Sequence, residues 1–401
     1  MAYTVTTKTS YGQRLSNSMK SIVTGFIMFL IGTAVLFWNE GNFIKTKRSL
    51  QEAEGVLVRM RDVSQIDPAF DGKLIHATAF ANTQETLFDG LFGISEVAIA
   101  LSRSVEYYQY KENSRSQSRD RVGGGQETVT TYTYERTWSA QPINSGNFND
   151  PQYRTSNFTL TTVEQKTERA QDVSFGAYKL PAFIIASISG SQPANANLTA
   201  QEIAQWQQQL ARGNPDAPQM VHISGNTVYF GISPTSPNIG DLRITLTKIL
   251  PADISIIAKV FSNTFEPYIA KNGKTVSSVS MGTVSPEAMF AGEHSANKML
   301  TWILRLVGAF LVIGGLKAMF SILPTLFKVL PFLGKIVGVG VGLVCSIVGG
   351  VWSLLIIGIS WLFYRPLIGI PLLLLAVAGI WYLRKKAKEA PPLAPIIEIE
   401  S

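Results

Sequence analysis

Four long apolar runs interrupt an otherwise mixed pattern of hydrophobic and polar positions, and each run predicts a membrane-spanning helix. A helix rises about 1.5 Å per residue and the hydrocarbon core of a bilayer is about 30 Å thick, so runs of roughly 17 to 25 residues are long enough to cross. The pattern predicts a multi-pass α-helical membrane protein with one span followed, after a long interval, by three. The four predicted transmembrane helices are residues 21–38, 299–320, 336–363 and 367–383.

The third and fourth runs meet at Tyr364-Arg365-Pro366. A single helix from residue 336 to residue 383 would reach about 72 Å, more than twice the thickness of the core. Two helices joined by an outer turn at 364–366 fit better, because the arginine can reach lipid headgroups and the proline can begin a helix without losing a hydrogen bond.

The first run also resembles a secretory signal, because Lys8, Arg14 and Lys20 precede it. No clean small-residue cleavage site follows Trp38, and the later spans anchor the chain in any case. We therefore interpret this run as a retained transmembrane helix.

Charge separates the membrane flanks from the long interval between the first two spans. Residues 39–298 hold 23 basic and 25 acidic side chains, a net charge of −2, whereas the rest of the chain holds 12 basic and 3 acidic ones, a net charge of +9. The excess basic charge belongs to the flanks, so the composition does not indicate a nucleic-acid partner. Under the positive-inside tendency, the predicted cytoplasmic segments are the tail 1–20, the basic interfacial linker 321–335 and the tail 384–401.

Residues 39–298 are correspondingly predicted to form one large extracytoplasmic domain, in a periplasm or an organelle lumen. Its β-forming segments 105–112 and 128–139 predict a long hairpin whose polar tip, 113–126, is a solvated loop. Thr199 and Glu202 have the spacing of a capping box and predict the start of a helix. The fold class expected for this domain is a β-rich α+β domain between helices one and two, without a disulfide, because the chain has one cysteine.

One face of the second hairpin strand carries a stripe of aromatic and basic residues at period two: Tyr132, Tyr134, Arg136 and Trp138. The stripe is compatible with a partner-binding strip. We favour the alternative, cross-strand packing within the domain, because aromatic pairs commonly stabilise neighbouring strands.

Small residues recur every four positions in the third span and predict a helix-packing ridge. Such a ridge suits a dimer seam or the wall of a gated pore, and the interpretation we favour is packing against another span of the same chain. The ridge residues are Gly338, Gly342, Ser346 and Gly350.

Aromatic and basic residues near the span ends predict anchoring at the outer membrane interface. Arg305 is expected to extend its charged group to the interface, and phosphate headgroups are the expected partners of Arg365, because residues 299–388 contain no Asp or Glu. The predicted anchors are Trp38, Trp302, Arg305, Trp361, Tyr364 and Arg365.

Residues that would indicate catalysis or metal binding are scarce. The three histidines, His76, His222 and His294, are far apart in sequence, and the chain has no Cys-x-x-Cys, His-Glu-x-x-His or phosphate-binding loop. His76 alternates with apolar residues and is interpreted as a hydrogen-bonded packing histidine. We expect no cofactor, no metal and no catalytic site.

Six short motifs in this order, with the same membrane layout, resemble the LUMA family (transmembrane protein 43 family) over roughly residues 36–383. They are NEG at 39–41, GKLIH at 72–76, VEYYQY at 105–110, INSGNF at 143–148, GDLRI at 240–244 and WLFYRP at 361–366. For an animal member, the resemblance implies a protein of the endoplasmic reticulum or inner nuclear membrane that helps organise the nuclear envelope with lamin and emerin-like partners. Differences in the N-terminal tail, the hairpin tip and the middle region favour a bacterial member, which would lie in the inner membrane with a periplasmic domain.

The residues and the resemblance lead to the same functional expectation. We expect a non-enzymatic membrane scaffold or membrane-organising protein whose extracytoplasmic domain mediates protein–protein assembly. The expected partners are the lipid bilayer, other membrane or envelope proteins and, as a homo-oligomer, further copies of the chain. The alternative is a channel or transport-accessory subunit, and a third hypothesis is an enzyme acting on lipid or envelope polymer.

Overall fold

The computed structural model describes residues 2–212, 214, 216–367, 370–371, 374–375, 378 and 381. The chain divides into two compact units. The first unit comprises Met1–Tyr11, Arg48–Arg121 and Gly125–Ser295, and the second comprises Gly12–Lys47, Val122–Gly124 and Ala296–Ser401. The predicted fourth span, 367–383, lies largely outside the described residues, and the tail 384–401 lies entirely outside them.

The described secondary structure is mainly β in the first unit and helical in the second. The strands are β1 (Tyr3–Thr9), β2 (Val58–Arg59), β3 (Leu74–Asn82), β4 (Thr86–Asp89), β5 (Ile94–Val97), β6 (Ala100–Asp120), β7 (Gln126–Ser139), β8 (Lys166–Arg169), β9 (Ser174–Phe175), β10 (Tyr178–Lys179), β11 (Gln192–Pro193), β12 (Val221–Ser224), β13 (Thr227–Phe230), β14 (Leu242–Ile249), β15 (Ala252–Phe261), β16 (Thr264–Glu266), β17 (Tyr268–Ile269), β18 (Thr275–Val276) and β19 (Ser278–Met281). The α-helices are α1 (Tyr11–Val56), α2 (Ala182–Ser187), α3 (Ala200–Leu210), α4 (Pro286–Met319), α5 (Ile322–Phe327) and α6 (Pro331–Tyr364), and short 3-10 helices lie at Pro68–Phe70, Ser145–Asn147 and Pro151–Tyr153.

Two large sheets form the first unit. One has eight strands in the order β1-β7-β6-β14-β13-β12, with β8 also on β6 and β11 also on β14. The other has seven strands in the order β10-β9-β3-β15-β16, with β19 also on β15 and β2 also on β3. Both sheets contribute side chains to one core, including Val105 and Ile244 from the first sheet and Ile75, Phe175 and Ile256 from the second. The prediction of a large β-rich domain is confirmed.

The predicted hairpin is present, and its strands are longer than the sequence indicated. β6 and β7 pair continuously from Tyr107↔Ser139 to Asp120↔Gln126, so most of the tip that was predicted to be a loop is strand. Hydroxyl pairs support the pairing there: the Ser116 and Thr130 hydroxyls are 2.9 Å apart. The prediction failed because the serines of the tip favour turns locally, whereas here their hydroxyls bond to threonines across the strands.

The aromatic stripe packs within the first unit, as favoured from the sequence. Tyr134 stacks on Tyr153 with ring centroids 4.0 Å apart, and the Arg243 guanidinium lies 4.5 Å from the Trp138 ring centroid. The packing histidine is also confirmed, because His76 Nε2 lies 2.9 Å from the carbonyl oxygen of Val284. The capping box of Thr199 and Glu202 begins α3 as predicted.

Strand β1 joins the sheet of the first unit through β7, from Tyr3↔Tyr132 to Thr9↔Gln126. The charge pattern instead places residues 1–20 across the membrane from residues 39–298. A polar sheet with an open edge does not cross lipid, because its backbone groups would be unsatisfied there. The pairing with β7 therefore places β1 on the same side of the membrane as residues 39–298, whereas the charge pattern predicts the opposite side.

Three helical segments of the described chain are long and apolar enough to span a membrane: α1, Pro286–Phe327 and α6. They contain the predicted spans 21–38, 299–320 and 336–363. The first two extend well beyond their predicted spans, whereas α6 begins five residues earlier and ends one residue later. α6 begins at Pro331, inside the predicted linker 321–335, because proline is favoured in the first turn of a helix. Three spans are thus supported, and the predicted four-helix count is not confirmed.

Glycines permit a close crossing of α1 and α4 in the second unit. A Cβ atom at Gly25 would lie 2.6 Å from the carbonyl oxygen of Gly315, and one at Gly32 would lie 2.9 Å from that of Gly308. Neither separation leaves room for a side chain. The two glycines of each helix are seven residues apart, so they lie two turns apart on one face.

The predicted ridge on α6 lies beside the face that makes the close contacts. A Cβ atom at Gly342 or Gly350 would have open space among the described residues, whereas one at Gly349 would lie 2.7 Å from Ile313 Cγ1. Cys345 and Ser353, which share the face of Gly349, are buried. Consecutive helix positions differ by about 100°, so the ridge and the face of Gly349 point in different directions, and packing of the ridge itself stays a prediction.

Candidate functional site

The second unit contains a buried carboxylate, Glu40, which is 0% exposed. Its position on α1 is only two residues beyond the first predicted span. Arg305 Nε on α4 donates a hydrogen bond to Glu40 Oε1 at 2.6 Å, and Trp361 Nε1 on α6 donates one to Oε2 at 2.9 Å. Both carboxylate oxygens are thus bonded, which a buried charge requires. One side chain connects all three long helices.

Aromatic rings surround the cations near this carboxylate. The Arg305 guanidinium lies 4.8 Å from the ring centroid of Trp302, and that of Arg365 lies 4.8 Å from Phe43 and 5.4 Å from Trp361. Ring faces attract cations electrostatically, most strongly where water is excluded. Arg365 Nε is buried and has no hydrogen-bond partner among the described residues.

Amide side chains extend the contact between α1 and α4. Asn39 Nδ2 donates to the Thr301 carbonyl oxygen at 3.0 Å, and Asn297 Nδ2 donates to the Phe43 carbonyl oxygen at 3.1 Å. Asn39, Asn297 and Thr301 are all buried. Each amide thus satisfies a polar group that would otherwise be costly in an apolar setting.

The third residue of the NEG motif is a glycine for steric reasons. A Cβ atom at Gly41 would lie 2.6 Å from the Tyr364 ring. NEG and WLFYRP, which lie at opposite ends of the chain, therefore form one site. We call it the Glu40 cluster, and its members are Asn39, Glu40, Gly41, Phe43, Asn297, Thr301, Trp302, Arg305, Trp361, Tyr364 and Arg365.

Five of the six predicted interface anchors belong to this cluster; Trp38 does not. Arg305 is paired with Glu40, which lies two residues beyond the predicted span 21–38, so its charge has a partner within the protein; its anchoring at the interface stays a prediction. Residues 299–388 contain no Asp or Glu, and the carboxylate that pairs with Arg305 comes from α1. The signal was present, since the NEG motif places a carboxylate directly after an apolar run.

A second polar cluster lies in the first unit, at the base of the hairpin. The buried Asp241 carboxylate accepts hydrogen bonds from the Tyr229 hydroxyl and, at 2.7 Å, from the Asn238 amide. Burial raises the pKa of Asp241 despite these two bonds. Burial and the bond to Asp241 also raise the pKa of Tyr229. The Asp241 carbonyl oxygen accepts from the Tyr108 amide at 2.9 Å, which holds VEYYQY against GDLRI.

The INSGNF motif closes the other side of the hairpin. Asn157 Nδ2 donates to the carbonyl oxygens of Tyr110 at 2.9 Å and Ile143 at 3.2 Å. Glu112 accepts from the Tyr134 hydroxyl at 2.6 Å and from the Asn149 amide at 2.7 Å. Burial opposes charge on Glu112, but these hydrogen bonds outweigh it and lower the pKa of its carboxyl group.

Two further cavities have different linings. A cleft of about 460 Å³ in the first unit is lined by Glu54, Glu287 and His294 together with apolar residues. A groove of about 390 Å³ in the second unit is lined by apolar residues of Pro286–Phe327 and α6. No group of three or more His, Cys, Asp or Glu residues in the described part of the chain is placed to hold a metal ion.

Comparison with known proteins identifies the family of this chain. The family model for transmembrane protein 43 matches residues 107–366, more than half of the chain. The chain belongs to that family. Transmembrane protein 43 of Mus musculus is 29% identical over 366 residues, covering 88% of this chain and 87% of the relative. The Homo sapiens protein is 28% identical with the same coverage, and the Drosophila melanogaster homolog is 26% identical over 94% of this chain and 97% of its own length.

No solved structure matches this chain. The region that the family model matches includes the paired strands of the hairpin, Asp241 and WLFYRP. Glu40 lies before the first residue of that region. This transmembrane protein 43 family member therefore supplies the carboxylate of the Glu40 cluster from outside the region that the family model matches.

Proposed function

We propose that this family member is a non-enzymatic membrane scaffold whose large β-rich domain mediates protein–protein assembly. The observation that carries the proposal is the use of the motif residues. Glu40, Trp361 and Gly41 hold helices together, and Asp241 holds VEYYQY against GDLRI at the hairpin. These side chains hold elements in place within each unit, and a preorganised surface is what binding of a partner requires.

The proposed location follows from the family and the membrane helices. In a eukaryotic cell it is the endoplasmic reticulum or inner nuclear membrane, and in a bacterium it is the inner membrane with the domain in the periplasm. Other membrane or envelope proteins are the proposed partners of the domain.

Cross-linking in native membranes tests the scaffold. A lysine-reactive reagent is added to membranes that contain the full-length chain, and cross-linked peptides are identified by mass spectrometry. We expect cross-links from other proteins to exposed lysines of the domain, such as Lys111 and Lys271. If every cross-link from these lysines stays within copies of this chain, the domain has no other protein partner and the proposal fails.

A transport-accessory role is the second candidate, and the ion pair of Glu40 with Arg305 favours it. Ionisable residues inside membrane bundles often mark ion pathways. Purified protein in liposomes decides this question by dye-reported ion or proton flux. Flux that is lost in Glu40→Gln would favour transport, whereas flux equal to that of empty liposomes would leave Glu40 a packing role.

A further inference from the structure

Strand β1 is an edge of the eight-stranded sheet. All seven of its residues pair with β7, and its other side has no strand beside it among the described residues. Thr4, Thr6, Thr7 and Lys8 are exposed. An open edge presents unpaired N–H and C=O groups, which another strand can bind.

The composition of β1 suits strand pairing. Its sequence, YTVTTKT, contains Tyr, Val and four Thr, residue types enriched in strands, and it has no proline and a single charge. Edge strands that are protected from pairing usually carry several charges, a proline or a bulge. β1 has little of this protection.

We propose that β1 pairs with β1 of a second copy of this chain, antiparallel and centred on Thr6. A two-fold axis at Thr6 sets Thr6 opposite Thr6, Val5 opposite Thr7 and Thr4 opposite Lys8. No charged residue then faces another, and Thr pairs are favourable between strands. A two-fold contact of identical surfaces is also the commonest arrangement of homo-oligomers.

A second open edge in the same sheet is less suitable. β14 pairs with β6 only as far as Tyr107, so Asn113–Arg119 has a strand on one side only among the described residues. An antiparallel contact of two copies centred on Gln117 would set Arg115 opposite Arg119 twice. Like charges directly opposite each other destabilise a strand pair. β1, with its single charged residue, carries less charge along its edge than this stretch of β6, which holds two arginines.

Disulfide cross-linking tests the proposed register. Opposed residues of antiparallel strands have Cα atoms about 4.5–5.5 Å apart, within the range of about 4.4–6.8 Å that a disulfide spans. The full-length chain with Cys345→Ala carries Thr6→Cys, and membranes are treated with a mild oxidant before non-reducing electrophoresis. We expect most of this variant to migrate as a dimer that reductant reverses.

Matched cysteine variants define the register. Thr4→Cys alone should cross-link weakly, because the two copies of residue 4 are about 13 Å apart along the strands. Thr4→Cys combined with Lys8→Cys should restore the dimer, since residue 4 of one copy faces residue 8 of the other. Gln117→Cys reports on the β6 edge and should stay monomeric.

Three results would overturn the proposal. They are a monomeric Thr6→Cys chain, a Gln117→Cys dimer without a Thr6→Cys dimer, and equal cross-linking of Thr4→Cys and Thr6→Cys, which would indicate random collision. The inference deepens the proposed scaffold function by naming a self-association surface. Its failure is separable from failure of the scaffold, because the scaffold is tested by cross-links to other proteins.

Discussion

Glu40 and Arg305 form an ion pair of 2.6 Å although they lie 265 residues apart in the chain. Glu40 is fully buried, and Trp361 completes its hydrogen bonding. Removal of one partner from a buried pair leaves a charge without compensation, which costs more than the pair itself contributes. The consequences of this relationship can be measured.

Replacement of Glu40 with Gln should destabilise the helical unit by about 3 kcal/mol, because Arg305 would keep its charge without a carboxylate. Thermal unfolding in detergent, followed by circular dichroism at 222 nm, measures the change. Glu54→Gln is the matched control, since Glu54 pairs with His294 at a partly exposed site and should cost below about 1 kcal/mol. Equal melting temperatures for the two variants would contradict the structural role of Glu40.

Replacement of Gly32 with Leu should separate α1 from α4 and cost about 1–3 kcal/mol, because the new side chain meets the backbone of the facing helix. Gly342→Leu adds the same apolar side chain to α6 at a position where a Cβ atom would have no described residue within 4 Å. We expect Gly342→Leu to keep the melting temperature of the unchanged protein. If the melting temperature falls more in Gly342→Leu than in Gly32→Leu, the predicted ridge makes the closer packing contact.

Stability should depend on pH through Glu112. Its folded-state pKa lies below the ordinary value of 4.5, so its contribution is complete above that value and is lost as the pH falls through the folded-state pKa. Glu112→Gln should therefore lower the melting temperature more at pH 7 than at pH 3. Glu135→Gln, at an exposed position on β7, controls for the loss of one surface carboxylate. If Glu112→Gln lowers the melting temperature by the same amount at pH 7 and at pH 3, Glu112 is not the source of the pH dependence of stability.

Tyr134 shares this hydrogen-bond network. Burial, together with the bond to Glu112, raises its pKa to about 12. Spectrophotometric titration at 295 nm of the unchanged protein and of Tyr134→Phe should differ by one tyrosine that ionises near pH 12. If the tyrosine lost in Tyr134→Phe is instead one that ionises near pH 10, the Tyr134 hydroxyl is not held by Glu112.

Thiol labelling tests both the fourth span and the location of β1. Single cysteines at residues 365 and 384, in a Cys345→Ala chain, should react with an impermeant reagent from opposite membrane sides if residues 367–383 cross. A cysteine at residue 6 should react from the same side as one at residue 277, because β1 pairs with the domain strand β7. If residues 365 and 384 are labelled from the same side, residues 367–383 do not cross the membrane. If residues 6 and 277 are labelled from opposite sides, β1 does not pair with β7 in the membrane-inserted protein.

Local patterns determined the elements of this protein. Apolar runs located three helices, alternation located the hairpin, and the spacing of Thr199 and Glu202 located the start of α3. These features depend on residues close together in sequence, where helix and strand geometry dictates which side chains share a face. For the same reason, the sequence also indicated that His76 and Trp138 pack.

Tertiary structure decided which elements meet. The partner of Arg305 comes from α1, the face of α6 that packs closely on α4 contains Gly349, and β1 adds to a sheet more than a hundred residues away. Hydrogen bonding and close packing select such partners through three-dimensional contact, and many carboxylates, glycines and strands of one chain satisfy the same local rules. Only the fold brings Glu40, Arg305 and Trp361 within hydrogen-bond distance of one another.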